Sequence, residues 1–125
     1  MATVELTQDT FEKTVEDNDF VIIDFWAPWC GPCQSFGPVY EATSNKEEYA
    51  GIVFAKVNTE EQQALAGHFQ IRSIPTLMIL REKVMIFSQA GALPGSALEE
   101  VIGKAKGLDM AEVHRQVAEQ EKKAG

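Results

Sequence analysis

Hydrophobic positions along this chain recur with two different periods, and the switches between them mark its elements. Val4 to Leu6 alternates apolar and polar, as a short strand does. Thr7 then stands as the N-cap of a helix over Gln8 to Val15, where Phe11 and Val15 share a face at i, i+4 spacing. Phe20 to Ala27 is β-branched or aromatic almost throughout, the pattern of a central strand buried on both faces, and it stops at Pro28. A helix is expected from Gly31, with Pro32 in its first turn, where the missing N–H is no loss. Pro38 lies inside that helix and predicts a kink.

Ile52 to Val57 reads as a second buried strand and Glu60 to His68 as a short helix, followed by a loop carrying Gln70 to Ser73. Thr76 to Leu80 and Val84 to Ser88 predict an antiparallel hairpin. Its connection, Arg81-Glu82-Lys83, lacks the usual Asn-Gly pair and so predicts a turn other than the primed two-residue form. Ala97 to Ala105 is helical, with Leu98, Val101 and Ile102 on one side. The order β-α-β-α-β-α-β-β-α describes an α/β fold: a mixed central sheet of about five strands with helices on both faces. Phe11, Phe25, Phe54, Phe69, Leu77 and Ile79 are assigned to its core, and Trp26 to packing near the reactive turn.

Leu108 to Gly125 differs in character. Met110, Val113 and Val117 share one face of a further helix, the rest of which is Glu, Gln and Lys. Asp109 and Glu112 give it a start resembling a capping box, after a hinge at Gly103 or Gly107. The chain is therefore divided into a domain at 1–106 and a C-terminal helical extension at 107–125.

Composition narrows the function. A length of 125 residues fits one domain, and the net charge of −8 is scattered, with no basic stripe to neutralise phosphates. No apolar run approaches the length of a membrane span. The first twenty residues show neither a basic n-region nor an apolar h-region, so an export signal is not expected and a reducing, cytoplasmic setting is. There, two cysteines are more often catalytic or metal-binding than structural.

Those two cysteines occupy Trp29-Cys30-Gly31-Pro32-Cys33, between the buried strand and its helix. Spaced i, i+3, they can close a small disulfide ring with little backbone movement. Cys30 falls where unpaired N–H groups and the helix dipole favour a thiolate, the attacking species in disulfide exchange. Cys33, one turn inside, is placed to resolve a mixed disulfide formed on Cys30. Half of a zinc site is the alternative, but His68 and His114 are far apart and no second C-x-x-C exists. Asp24 interrupts an otherwise apolar strand. A buried carboxylate is costly unless paired or useful, which marks Asp24 as a candidate functional group against the alternative of an edge-strand residue reaching water. Pro75 precedes a strand and, on its own, is compatible with an ordinary trans proline.

W-C-G-P-C together with V-I-I-D-F-W-A, A-K-V-N, I-R-S-I-P-T-L and the G-A-L at Gly91 to Leu93 resembles the thioredoxin family from Val4 to about Lys106. The resemblance implies the thioredoxin fold and a general protein-disulfide reductase serving cell redox homeostasis, with Cys30 as nucleophile and Cys33 as resolving cysteine. It further implies proton transfer by Asp24 beneath Cys33, modulation of Asp24 by Lys56, and a cis Ile74–Pro75 bond facing the sulfurs. Trp29, Gly31, Pro32, Ile74, Pro75, Gly91 and Ala92 would form the substrate-docking surface. No metal or organic cofactor is expected to be bound; electrons are expected from NADPH through thioredoxin reductase. The expected partners are disulfide-containing proteins and that reductase, met by a monomer. Gln34 departs from the pattern, standing where a basic residue is usual, as do Ser35, Phe36 and the extension. These departures motivate a rival reading, a thioredoxin-fold binding or regulatory subunit that holds a partner with its C-terminal helix.

Overall fold

A computed structural model describes residues 2–124; Met1 and Gly125, the outer ends of the two predicted regions, lie outside the described residues. The elements are β1 (Thr3–Glu5), α1 (Gln8–Asp17), β2 (Phe20–Trp26), α2 (Gly31–Ser44), β3 (Val53–Asn58) and α3 (Gln63–His68). They continue with β4 (Thr76–Arg81), β5 (Val84–Ala90), α4 (Gly95–Lys106) and α5 (Met110–Ala124). The sheet order is β1-β3-β2-β4-β5, with β1, β3 and β2 parallel and β4 and β5 antiparallel to their neighbours. This is the thioredoxin fold, a five-stranded mixed sheet with the fifth helix C-terminal.

β2 sits at the centre because nearly every side chain it carries is apolar and can be buried. Ile22 packs toward α2 and α4 with Phe36, Tyr40, Phe54, Leu98 and Ile102. Val21, Ile23 and Phe25 pack on the other face with Leu6, Leu65 and Met78, against which Phe11 and Phe69 close. Fully burying such a side chain contributes about 1.5–3 kcal/mol, so β2 anchors both layers at once. The Tyr40 hydroxyl reaches the Ile22 and Ala55 carbonyls at 3.0 and 2.8 Å, tying α2 to β2 and β3.

Several boundaries differ from expectation for local reasons. α3 begins at Gln63 rather than Glu60, because Asn58 Oδ1 accepts the N–H groups of Glu60 and Glu61 and its carbonyl takes that of Gln62. That side-chain turn competes with the helix for the same donors. α1 continues to Asp17, β5 to Ala90, and α4 starts at Gly95, directly after Pro94. A short 3-10 turn, Glu47–Tyr49, adds to the expected elements. α2 runs on through Pro38. The β4–β5 turn overturns its expectation. Glu82 and Lys83 have φ of 49° and 71°, so both central residues take the left-handed conformation of a primed two-residue turn without Asn or Gly. Strand twist dictates the turn, and the residues comply at a cost.

Of the two hinge candidates, Gly103 lies within α4 and Gly107 ends it. Arg81 spans this break, its guanidinium donating to the carbonyls of Ala105 at 2.9 Å, Lys106 at 3.4 Å and Leu108 at 3.3 Å. Asp109 Oδ1 accepts the Glu112 N–H at 3.3 Å at the start of α5, and Met110 is buried.

Candidate active site

β2 delivers the chain to the turn Ala27-Pro28-Trp29, and α2 begins immediately after Cys30. Cys30 is the N-cap, its Sγ accepting the Cys33 N–H at 3.2 Å. The two cysteines are disulfide-bonded, with Cα atoms 5.2 Å apart. Cys30 is covered almost as well as Cys33, at 5% and 4% exposure, and both pack on Ala27, Trp26 and Ile74. Neutral sulfurs in this geometry can alternate between a disulfide and a dithiol whose first member faces backbone N–H groups.

The loop before β4 brings Ile74 against the pair. Cys30 Sγ lies 3.7 Å from the Ile74 carbonyl oxygen, and the Ile74–Pro75 peptide is cis. The Pro75 carbonyl accepts the Gly91 N–H at 2.8 Å, and Gly91 holds φ 110°, a conformation open to glycine. Neither backbone group of Ile74 is engaged in a backbone hydrogen bond among the described residues. Gly31, Pro32, Gly91 and Ala92 are exposed and Ile74 is half-buried, whereas Pro75 is buried. Trp29 stands 66% exposed, with its indole N–H donating to the Glu60 carboxylate. A rim of mostly uncharged surface around the sulfurs results.

Two residues before Trp26 on β2 stands Asp24, 1% exposed, with no hydrogen-bond partner for either oxygen. Burial pushes its carboxyl up to about 7; the Lys56 charge works against this and the Glu5 charge adds to it. Desolvation therefore outweighs a neighbouring cation. Lys56 is the direct register partner of Asp24 across β2 and β3, and its Nζ stands 4.5 Å from the centroid of the Trp26 ring. An open groove of about 410 Å³, lined by Trp26, Cys33, Gln34, Gly37, Glu41 and Lys56 among others, connects Cys33 with solvent. The Trp26 indole N–H is also buried and unpartnered beside it.

Of the residues named from the sequence, Trp26 and Ile74 pack directly on the sulfurs and Lys56 shares the groove with Cys33, whereas His68 packs on Phe69 and His114 on Glu82, far apart in the fold. Sequence reasoning missed Glu60, Glu5 and the hydrogen-bonding part of Gln34, whose side-chain amide donates to the Pro28 carbonyl at 2.8 Å. Nothing local signals the first two, because their partners are distant in the chain. Among the described residues no group of three or more His, Cys, Asp or Glu is placed to hold a metal ion.

Comparison with known proteins gives a consistent result. The thioredoxin family model matches residues 2–104. The putative thioredoxin 2 of Streptomyces coelicolor is 59% identical over 124 residues, covering 99% of this chain and 91% of that protein. The thioredoxin of Porphyra purpurea is 40% identical over 83% of this chain and 97% of its own length. Among solved structures, a mutant thioredoxin from Halobacterium salinarum superposes with a TM-score of 0.77 at 30% identity, covering 86% of this chain and 93% of that one. The Malassezia sympodialis thioredoxin gives 0.75 at 32% identity, covering 83% and 93%.

Proposed function

We propose that this chain, which belongs to the thioredoxin family and is a protein-disulfide oxidoreductase, is a general reductase that works from the cytoplasm with residues 1–106 as the exchange unit. The Cys30 thiolate attacks one sulfur of a target disulfide, the target's own S–S bond breaks, and its second sulfur leaves as a thiolate. Cys33 then gives its proton to ionised Asp24 and attacks Cys30 Sγ. This releases the target's first sulfur and closes the Cys30–Cys33 bond. The target gains two electrons; the protein loses two.

One observation carries this reading: the disulfide-bonded pair opens α2, the helix packed on the face of β2 that holds a buried carboxylate no neighbour has satisfied. A base with a pKa near neutrality serves proton transfer better than an ordinary aspartate. Lys56 tunes that base from the adjacent strand. Trp29, Gly31, Pro32, Ile74, Pro75, Gly91 and Ala92 form the docking surface, on which the free backbone groups of Ile74 can pair with an extended target segment. Thioredoxin reductase, drawing on NADPH, restores the dithiol. The sulfurs carry both electrons, so the monomer needs no bound cofactor.

Insulin reduction tests the scheme. Cys30→Ser is expected to reduce nothing, while Cys33→Ser accumulates a covalent mixed disulfide on Cys30. Full turnover by Cys30→Ser would end this reading.

A further inference from the structure

Three ionisable side chains stand in one transverse row of the sheet. Glu5 of β1 is the register partner of Lys56 on β3, and Lys56 is the register partner of Asp24 on β2. Partners opposite one another in a sheet point to the same face, as do residues two apart along a strand. Thr3, two residues before Glu5, hydrogen-bonds Glu41 of α2 at 2.6 Å. Phe54 and Ile22, two residues before Lys56 and Asp24, pack on Phe36 and Tyr40 of α2. The whole row therefore faces α2, the helix that carries Cys33.

We propose that Glu5 is a positioning residue for the exchange reaction: by sharing Lys56 with Asp24, it sets how readily Asp24 holds and releases the proton passed from Cys33. The inference rests on the assignment of Asp24 as proton acceptor. A single cation stands between two carboxylates, and it cannot neutralise both. Glu5 is exposed at the sheet edge, whereas Asp24 is buried, so the outer carboxylate competes for Lys56 from the side open to solvent. The other groups bearing on the row are few. Glu61, in the loop after β3, repels Glu5, and Glu41 and the Tyr40 hydroxyl approach from α2.

The electrostatics agree with the geometry. Glu5 acts on Asp24 in the same direction as burial, against Lys56. Glu5, exposed as a residue but partly desolvated where it meets the sheet, is itself raised by that desolvation, lowered by Lys56 and raised again by Glu61. Removing the outer negative charge leaves Lys56 to Asp24 alone and favours the ionised form.

Carboxyl carbon NMR of the oxidised protein tests this without any turnover. The Asp24 midpoint is expected to fall by about half a pH unit in Glu5→Gln, the Coulomb effect of one charge across a short, partly screened distance. Glu5→Asp, which keeps the charge, is expected to stay with the wild type. The acid limb of the pH profile for resolving a trapped Cys30 adduct should move down with the midpoint. An unmoved Asp24 midpoint in Glu5→Gln overturns the proposal. A moved midpoint with an unmoved acid limb also overturns it, and shows the assignment of Asp24 to be at fault. The sulfur chemistry is tested separately by Cys30→Ser.

Discussion

The dithiol end of the molecule and its C-terminal helix are held by opposite means. Around Cys30 and Cys33 the frame is apolar, supplied by β2 and the first turns of α2, and the polar atoms inside it are left unsatisfied: both oxygens of Asp24 and the Trp26 indole N–H. At α5 polar contacts do most of the holding, although one buried polar atom there, Arg81 Nε, is also without a partner. Among the described side chains of α5 Met110 alone is buried, while Arg81 binds the preceding carbonyls, His114 meets Glu82 at 3.0 Å, and Arg115 pairs with Glu112 and Glu119. Unsatisfied polar burial costs stability but leaves a group free to react. Satisfied polar contact at a surface fixes a position and leaves nothing to react. The difference separates a reactive end from an attached one.

The largest expected effect breaks the first side of this contrast. Asp24 titrates near 7 in the folded protein but near 4 when unfolded, so between those values the native state binds the extra proton. Stability contributed by this group is therefore greatest below pH 4, falls as pH rises to 7, and stays low above. Asp24→Asn, which cannot ionise, should stabilise the protein by up to about 4 kcal/mol at pH 8 and leave it unchanged at pH 3. Urea titration at the two pH values measures the gap; an equal gain at both would mean that the charge is not the cause. Release of a target from the mixed disulfide should slow in the same variant.

The second test breaks the attached end. Arg81→Ala removes donors to three carbonyls around the α4–α5 break and should destabilise by about 2 kcal/mol, the order of hydrogen bonds to a charged group. Disulfide reduction should be unaffected, since the break lies away from the sulfurs. Amide exchange should rise across α5 and not across β2. A fall in reduction rate with α5 still protected would instead favour a working role for the extension.

Much of this contrast is legible in the sequence. The run Phe20 to Trp26 declares a doubly buried strand by composition alone, and Asp24 stands out because it is the only charge in it. The cysteine pair is legible because strand, turn and helix start lie together in the chain. What escapes is set by register and by tertiary demand. Glu5, Lys56 and Asp24 meet only once three strands are paired. Glu60 reaches Trp29 across a fold the sequence does not number. The start of α3 depends on which donors the Asn58 side chain takes. The β4–β5 turn escapes because its residues do not declare a geometry that the twisted strands impose on them.

That turn yields the smallest expected effect, and one of opposite sign. Left-handed backbone costs a side-chain-bearing residue about 1–2 kcal/mol, since Cβ crowds the following carbonyl, and glycine escapes this. Lys83, at φ 71°, is exposed and takes part in no salt bridge among the described residues, so its side chain returns little against that cost. Lys83→Gly should stabilise by about 1 kcal/mol, less than the full strain because glycine also loosens the unfolded chain. Glu82 is the weaker choice for the same exchange, because its carboxylate holds His114 and through it α5. Thermal unfolding of the single variants Lys83→Gly and Glu82→Gly separates the two contributions: a gain at Lys83 and a smaller gain or a loss at Glu82 is expected. Equal gains at both would show that the His114 contact contributes nothing to holding the helix, and that α5 is held without it, by Arg81, buried Met110 and half-buried Val113 and Val117.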